Sequence, residues 1–181
     1  MDADVRLDQQ LARLRDDLEP ALHAVIPALH ADLKRLAAAQ RRRFDAPPTL
    51  STTAVVNELY LKFAQSSGLS VESRRHFFAL AALAMRQILT DHARRRTEGT
   101  RASVDEALAV PDDDARRLIE IDAALERLAA VNPRLVEVVN CRFFGGYTDE
   151  ETAAILGVTD RTVRRDWDRA RAWLADALGP A

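Results

Sequence analysis

One stretch, Thr148 to Leu174, narrows the possible folds more than any other, because two helical patterns meet there at a glycine. Thr148 followed by Glu151 forms a capping box that opens a first helix. Ala153 is small where a second helix must cross closely, and Gly157 falls where a turn commonly needs a positive φ. Val158 and Val163 plug the angle between the two helices, and Thr159 supplies the cap of the second. That second helix has two faces. Val163, Trp167, Ala170 and Leu174 recur at inward spacing, while Arg161, Arg164, Arg165 and Arg169 fall on the outward side.

This pattern predicts a helix-turn-helix. The second helix of such a motif enters the major groove with its N-terminal residues near base edges. Arginine serves there both as a bidentate partner of guanine and as a phosphate contact. The candidate DNA-contacting residues of this segment are Arg161, Thr162, Arg164, Arg165 and Arg169. The plainer alternative is an amphipathic hairpin with a solvated arginine face. It leaves the two caps and the Ala–Gly–Val spacing as coincidences.

The rest of the chain also reads as helix. Alanine, leucine and arginine dominate, and only 6 glycines and 7 prolines occur in 181 residues. Apolar residues at helical spacing predict helices over 5–18 (interrupted by Pro20), 21–44, 52–65, 71–96 and 118–129, with Pro133 in the first turn of another. At least one of Phe77 and Phe78 belongs to the core; the other suits a site beside an unstacked base. Residues 97–115 have poor periodicity, carry Gly99 and Pro111, and include Asp112, Asp113 and Asp114, which reads as an acidic linker. The expected fold is therefore all-α: an N-terminal helical domain over 1–96, a linker over 97–115, and a helix-turn-helix domain over 116–181.

Net charge is −2, which on its face disfavours a nucleic-acid partner, but the distribution matters more than the sum. Between residues 74 and 96 lie six arginines (Arg74, Arg75, Arg86, Arg94, Arg95, Arg96) and a single acid, Asp91. Cys141 is the only cysteine, which excludes an intramolecular disulfide and a cysteine-based metal cage. No carboxylate sits at ligand spacing with His23 and His30, so no metal site is expected. No phosphate-binding glycine loop, HExxH or nucleophile motif is present, and the chain is expected to be a cofactor-free non-enzyme. The longest apolar run, Phe77 to Met85, is too short to span a bilayer, which predicts a soluble cytoplasmic protein.

Three collinear stretches carry a resemblance. FFGGYTDEETAAILGVTDRTVRRDWDRARAWL (143–174) closely resembles the C-terminal domain of extracytoplasmic-function sigma factors. AVVNELYLKF (54–63) is similar to their core-polymerase-binding helix, and HFFALAALAMRQILTDHARRR (76–96) to their promoter-melting helix. The likeness runs from about Pro27 onward.

The resemblance implies an alternative sigma factor whose partners are core RNA polymerase and promoter DNA. It assigns polymerase binding to Asn57, Glu58, Leu59 and Tyr60, and a promoter path to Arg86, His92, Arg94, Arg95 and Arg96. The helix-turn-helix is implied to bind the minus-thirty-five element, the N-terminal domain the minus-ten element, and the linker to thread toward the RNA exit path. For Arg94 to Arg96 a competing role is to complement a helix C-terminus. The alternative function is a helix-turn-helix repressor or activator that does not replace the sigma subunit, marked by a dimer on a palindrome.

The chain also departs from the family. Many relatives carry acidic residues just before the polymerase-binding helix, where this chain has Ser51-Thr52-Thr53-Ala54. Helix capping accounts for such residues. The sharper expectation is that phosphorylation of Thr52, Thr53 or Ser51 by a Ser/Thr protein kinase supplies the missing charge.

Overall fold

The computed structural model describes residues 2–44, 46, 50–66, 68–102 and 113–179, with side chains from residue 6 onward except 99–102. Among them there are helices and no strands, as the all-α expectation requires. In chain order these are α1 (Asp2–Arg13), α2 (Leu18–Arg43), α3 (Thr52–Ala64), α4 (Arg74–Ala102), α5 (Asp113–Val131), α6 (Pro133–Val139), α7 (Asp149–Leu156) and α8 (Asp160–Leu178). One π-helical turn, Asn140–Phe144, prolongs α6.

Several boundaries differ from the sequence reading. The first break falls over residues 14–17, and Pro20 sits inside the first turn of α2, where a missing N–H removes no helical bond. α4 starts behind Ser73, whose hydroxyl accepts the His76 N–H at 3.1 Å, and it continues to Ala102. The expected linker therefore begins inside a helix. Its far end is helical as well, since α5 opens at Asp113; residues 103–112, with Pro111 and Asp112, lie outside the described residues. The extension of α4 also corrects the idea that Arg94, Arg95 and Arg96 complement a helix C-terminus. They lie more than a turn short of it, where the macrodipole has faded.

Helices α1 to α4 close on one core. Leu22, Val25, Leu29 and Leu33 of α2 meet Val55, Val56, Leu59 and Phe63 of α3 and Phe77, Ala81 and Met85 of α4. Phe77 is fully buried, and its ring takes Phe63 and Phe78 edge-on at 5.8 Å, so Phe77 is the core member of the pair and Phe78 is half-buried. A second cluster joins Leu125 and Leu128 of α5, Leu135, Val136 and Val139 of α6, Phe144 and Ala170.

The two clusters are not separate. Ala115 and Leu118 of α5 enter the first, and Ala82 of α4 enters the second. Gln40 of α2 donates its side-chain amide to the carbonyls of Ala82 (3.0 Å) and Phe144 (3.3 Å). The Phe44 ring stacks on Phe144 with centroids 5.6 Å apart, and the Tyr147 hydroxyl donates to the Arg75 carbonyl at 3.1 Å. The last four helices thus dock on α2 and α4.

Candidate nucleic-acid interface

Helices α7 and α8 are joined as their caps dictate. Thr148 accepts the Glu151 N–H at 3.2 Å, and the Glu151 carboxylate accepts the Thr148 N–H at 3.1 Å. Gly157 closes α7 at φ 64°, a conformation that strains any residue with a Cβ. Thr159 accepts the Thr162 N–H at 3.2 Å and starts α8.

Along α8, Val163 and Ala170 are fully buried and Trp167 and Leu174 half-buried. Arg161, Arg164, Arg165 and Arg169 are exposed, with Thr162 beside them half-buried. Arg164 pairs with Asp160 one turn back, a solvent-exposed contact that leaves its guanidinium available.

Asp166 was missed in the sequence. Its side chain is 0% exposed, and it accepts the Arg134 Nε at 2.7 Å, with Arg165 Nε at 3.4 Å. The signal was present, since Asp166 falls three residues after Val163 and four before Ala170, on the inward stripe. Arg142 was missed too. Its guanidinium lies over the Trp167 ring at 4.4 Å while its Nε is 2.9 Å from the Asp149 carboxylate, so it locks α8 to the start of α7.

Behind α7, the π turn lets the Tyr147 N–H reach the Cys141 carbonyl at 3.1 Å. A Cβ at Gly145 would stand 2.6 Å from that carbonyl, so the close approach requires glycine. Burial pushes the Cys141 thiol up to about 12, with the Glu137 charge adding to the effect.

The arginines of α4 divide. Arg95 and Arg96 are exposed and Arg94 half-buried. Arg86 corrects its expected place on an open promoter path. Its residue is 5% exposed, ion-paired with Asp122 of α5, and its guanidinium faces the Phe144 ring at 5.4 Å. Arg94 reaches the other Asp122 oxygen at 3.1 Å and Asp91 at 3.7 Å. Burial lowers the Arg86 pKa against the opposing pull of Asp122 and Glu126. Burial likewise raises that of Asp122, against Arg86 and Arg94, with Glu126 and Asp91 adding to the rise. His92 meets Glu58 of α3 at 2.7 Å.

On α3, Asn57 is exposed, Glu58 is held by His92, and the Tyr60 hydroxyl lies 3.1 Å from His23 Nε2. Leu59 corrects its expected place on a binding surface: it is fully buried between α2 and α4 and belongs to the core. Ser51 caps α3 by accepting the Ala54 N–H at 3.1 Å, and the first turn carries no acid. Thr53 is exposed and Thr52 half-buried.

A family model described as ECF sigma factor matches residues 6–179, which takes in every helix from α2 to α8 and most of α1. The chain belongs to the ECF sigma factor family. No curated protein and no solved structure gives a significant match. The match begins well before Pro27, so α1 and the start of α2 are part of the family's frame and not an appendage.

Members of the family are non-enzymatic transcription initiation factors, and membership implies core RNA polymerase and promoter DNA as partners for this sigma factor. Among the described residues no cluster of three or more His, Cys, Asp or Glu is placed to hold a metal, and no helix is long and apolar enough to cross a membrane.

Proposed function

We propose that this sigma factor directs RNA polymerase to its promoters through two surfaces, with α7 and α8 acting as a helix-turn-helix on the minus-thirty-five element. The observation that carries the reading is the row of exposed arginines, Arg161, Arg164, Arg165 and Arg169, over a buried stripe on a helix capped at Thr159. Such a row presents guanidinium forks to guanine edges and phosphates along one groove. The second surface is α4, where His92, Arg94, Arg95 and Arg96, and Arg86 once uncovered, face the minus-ten element. The chain then works as two units, one ending with α4 and one starting with α5, and Asn57, Glu58 and Tyr60 of α3 meet the polymerase clamp.

Phosphorylation of Thr53 fits the acid-free start of α3. Its exposed hydroxyl makes it a better acceptor than half-buried Thr52, and Ser51 already serves as the cap. A phosphate there adds about −1.5 to −2 charges at a helix N-terminus. The reading predicts that Thr53→Glu raises affinity for core polymerase; full activity of the unphosphorylated wild type, equal to that of an acidic relative, excludes the kinase. The main reading is tested by transcription with core polymerase on fragmented genomic DNA. Discrete start sites that appear only with the protein support it, and uniform background transcription removes it.

A further inference from the structure

The contact between α4 and α5 is organised around one buried carboxylate. Two arginines of α4, Arg86 and Arg94, converge on the two oxygens of one carboxylate, Asp122, much as two arginines would share a phosphate. We propose that Asp122 is an internal phosphate mimic, a latch that holds the free protein closed and keeps α4 from DNA until the last four helices lift away. The proposal rests on α4 being a DNA surface, as read above.

The energetics favour a latch over a permanent core. Burying an ion pair recovers little beyond its desolvation cost, whereas apolar residues of similar volume would hold the two helices more firmly. Three further buried polar atoms at this junction, Gln40 Oε1, Arg86 Nε and Asn140 Oδ1, have no hydrogen-bond partner among the described residues. Each such atom weakens the closed form. Beside a small apolar contribution from Ala115 and Leu118 in the first cluster and Ala82 in the second, what remains is specific: the Gln40 amide bonds to Ala82 and Phe144, the Phe44–Phe144 stack, and the Tyr147–Arg75 bond. Each of these joins one of the first four helices to the C-terminal half or fixes the surface on which it rests. An interface of this kind defines one closed geometry without making it hard to leave.

The test uses the full chain without polymerase. Asp122→Asn keeps the side-chain shape and removes the charge; Gln40→Ala loosens the same junction with no change of charge. Glu120→Gln, at an exposed position of α5, removes one charge without touching the latch. Two readouts are taken: the radius of gyration by small-angle scattering, and affinity for a labelled 25-nucleotide single-stranded DNA at fixed salt.

A closed chain of 181 residues should show a radius near 16 Å by size scaling, about the value for one compact body. Asp122→Asn and Gln40→Ala should both raise it, while wild type and Glu120→Gln stay compact. If the open form of the wild type is populated at roughly 10% or less, opening raises DNA affinity by about tenfold or more. Compact variants with the DNA affinity of their controls overturn the latch while leaving α4 as a DNA surface. Variants that expand without gaining affinity overturn both the mimicry and that reading of α4. Loss of helical signal in both variants also overturns the latch, since the junction would then belong to the folding core.

Discussion

Arg134 of α6 donates from Nε to Oδ2 of Asp166 on α8 across 2.7 Å, and Asp166 has no exposed side-chain surface. The pair anchors α8 from behind, at the level of Arg164 and Arg165 on the outward face. Asp166→Ala should destabilise the C-terminal helices by about 1–3 kcal/mol, the range for losing a buried charged hydrogen-bond partner. It should also weaken promoter binding although Asp166 is buried on the side of α8 opposite the exposed arginines. Thermal melting and binding that both match wild type would show the pair to be incidental.

Trp167 bridges the second core cluster and the small one formed by Val138, Ala153 and Val163. Full burial would put the cost of Trp167→Ala at 3–5 kcal/mol, and its partial exposure argues for the lower end, about 3 kcal/mol. Arg142, which lies over the ring, would lose its stacking partner as well. Denaturant melts should show α5 to α8 unfolding first. A variant that melts like its parent would place the ring outside the core.

Arg95 and Arg96 are the exposed members of the basic run on α4. Replacing both with glutamate should reduce open-complex formation, with a loss that shrinks as salt rises, because phosphate contacts release counterions. Core polymerase binding should persist, since the α3 surface proposed to meet the polymerase is untouched. Equal promoter melting by variant and wild type at every salt concentration would remove α4 from the promoter path.

Alkali should loosen the C-terminal helices. The Cys141 thiol has a usual value of 9.0 and is pushed up to about 12 by burial, so the folded state keeps a proton that the unfolded state releases in between. Stability is therefore lost as pH rises through that window. Burial raises the Tyr147 pKa in the same sense. For the same reason Cys141 should resist iodoacetamide at pH 8 in the native protein and react on unfolding. Fast native-state alkylation would contradict the burial.

Much of this was legible in the sequence, and the omissions share a cause. The Thr148 box, the Gly157 turn and the Thr159 cap are local, set by residues within four positions of one another, and each is found as read. The outward arginines of α8 follow from helical period alone. What could not be read were pairings between distant segments. Arg86 is covered because Asp122, 36 residues away, packs against it, and no periodicity within α4 announces that. The family resemblance places Leu59 in a binding motif, whereas its spacing with Val55, Val56 and Phe63 puts it on the buried stripe. Residues 97–102 and 113–115 of the expected 97–115 linker are helical, since turn-forming and acidic residues do not by themselves end a helix that its neighbours support. Ala115 shows this directly, being buried in the core made by the first four helices.

This protein is proposed to give RNA polymerase its promoter and to read it with α8. The most direct measurement is run-off transcription from one promoter recovered with the wild-type protein, with core polymerase alone, protein alone, both together, and core with the Arg161→Ala/Arg164→Ala/Arg165→Ala variant. A transcript is expected only when core and wild-type protein are both present. The triple variant should lose it, with each base-specific arginine contributing on the order of 1–3 kcal/mol of discrimination. A transcript that persists with the triple variant, or a protein that footprints a palindrome as a dimer without polymerase and starts no transcription with it, would contradict the claim.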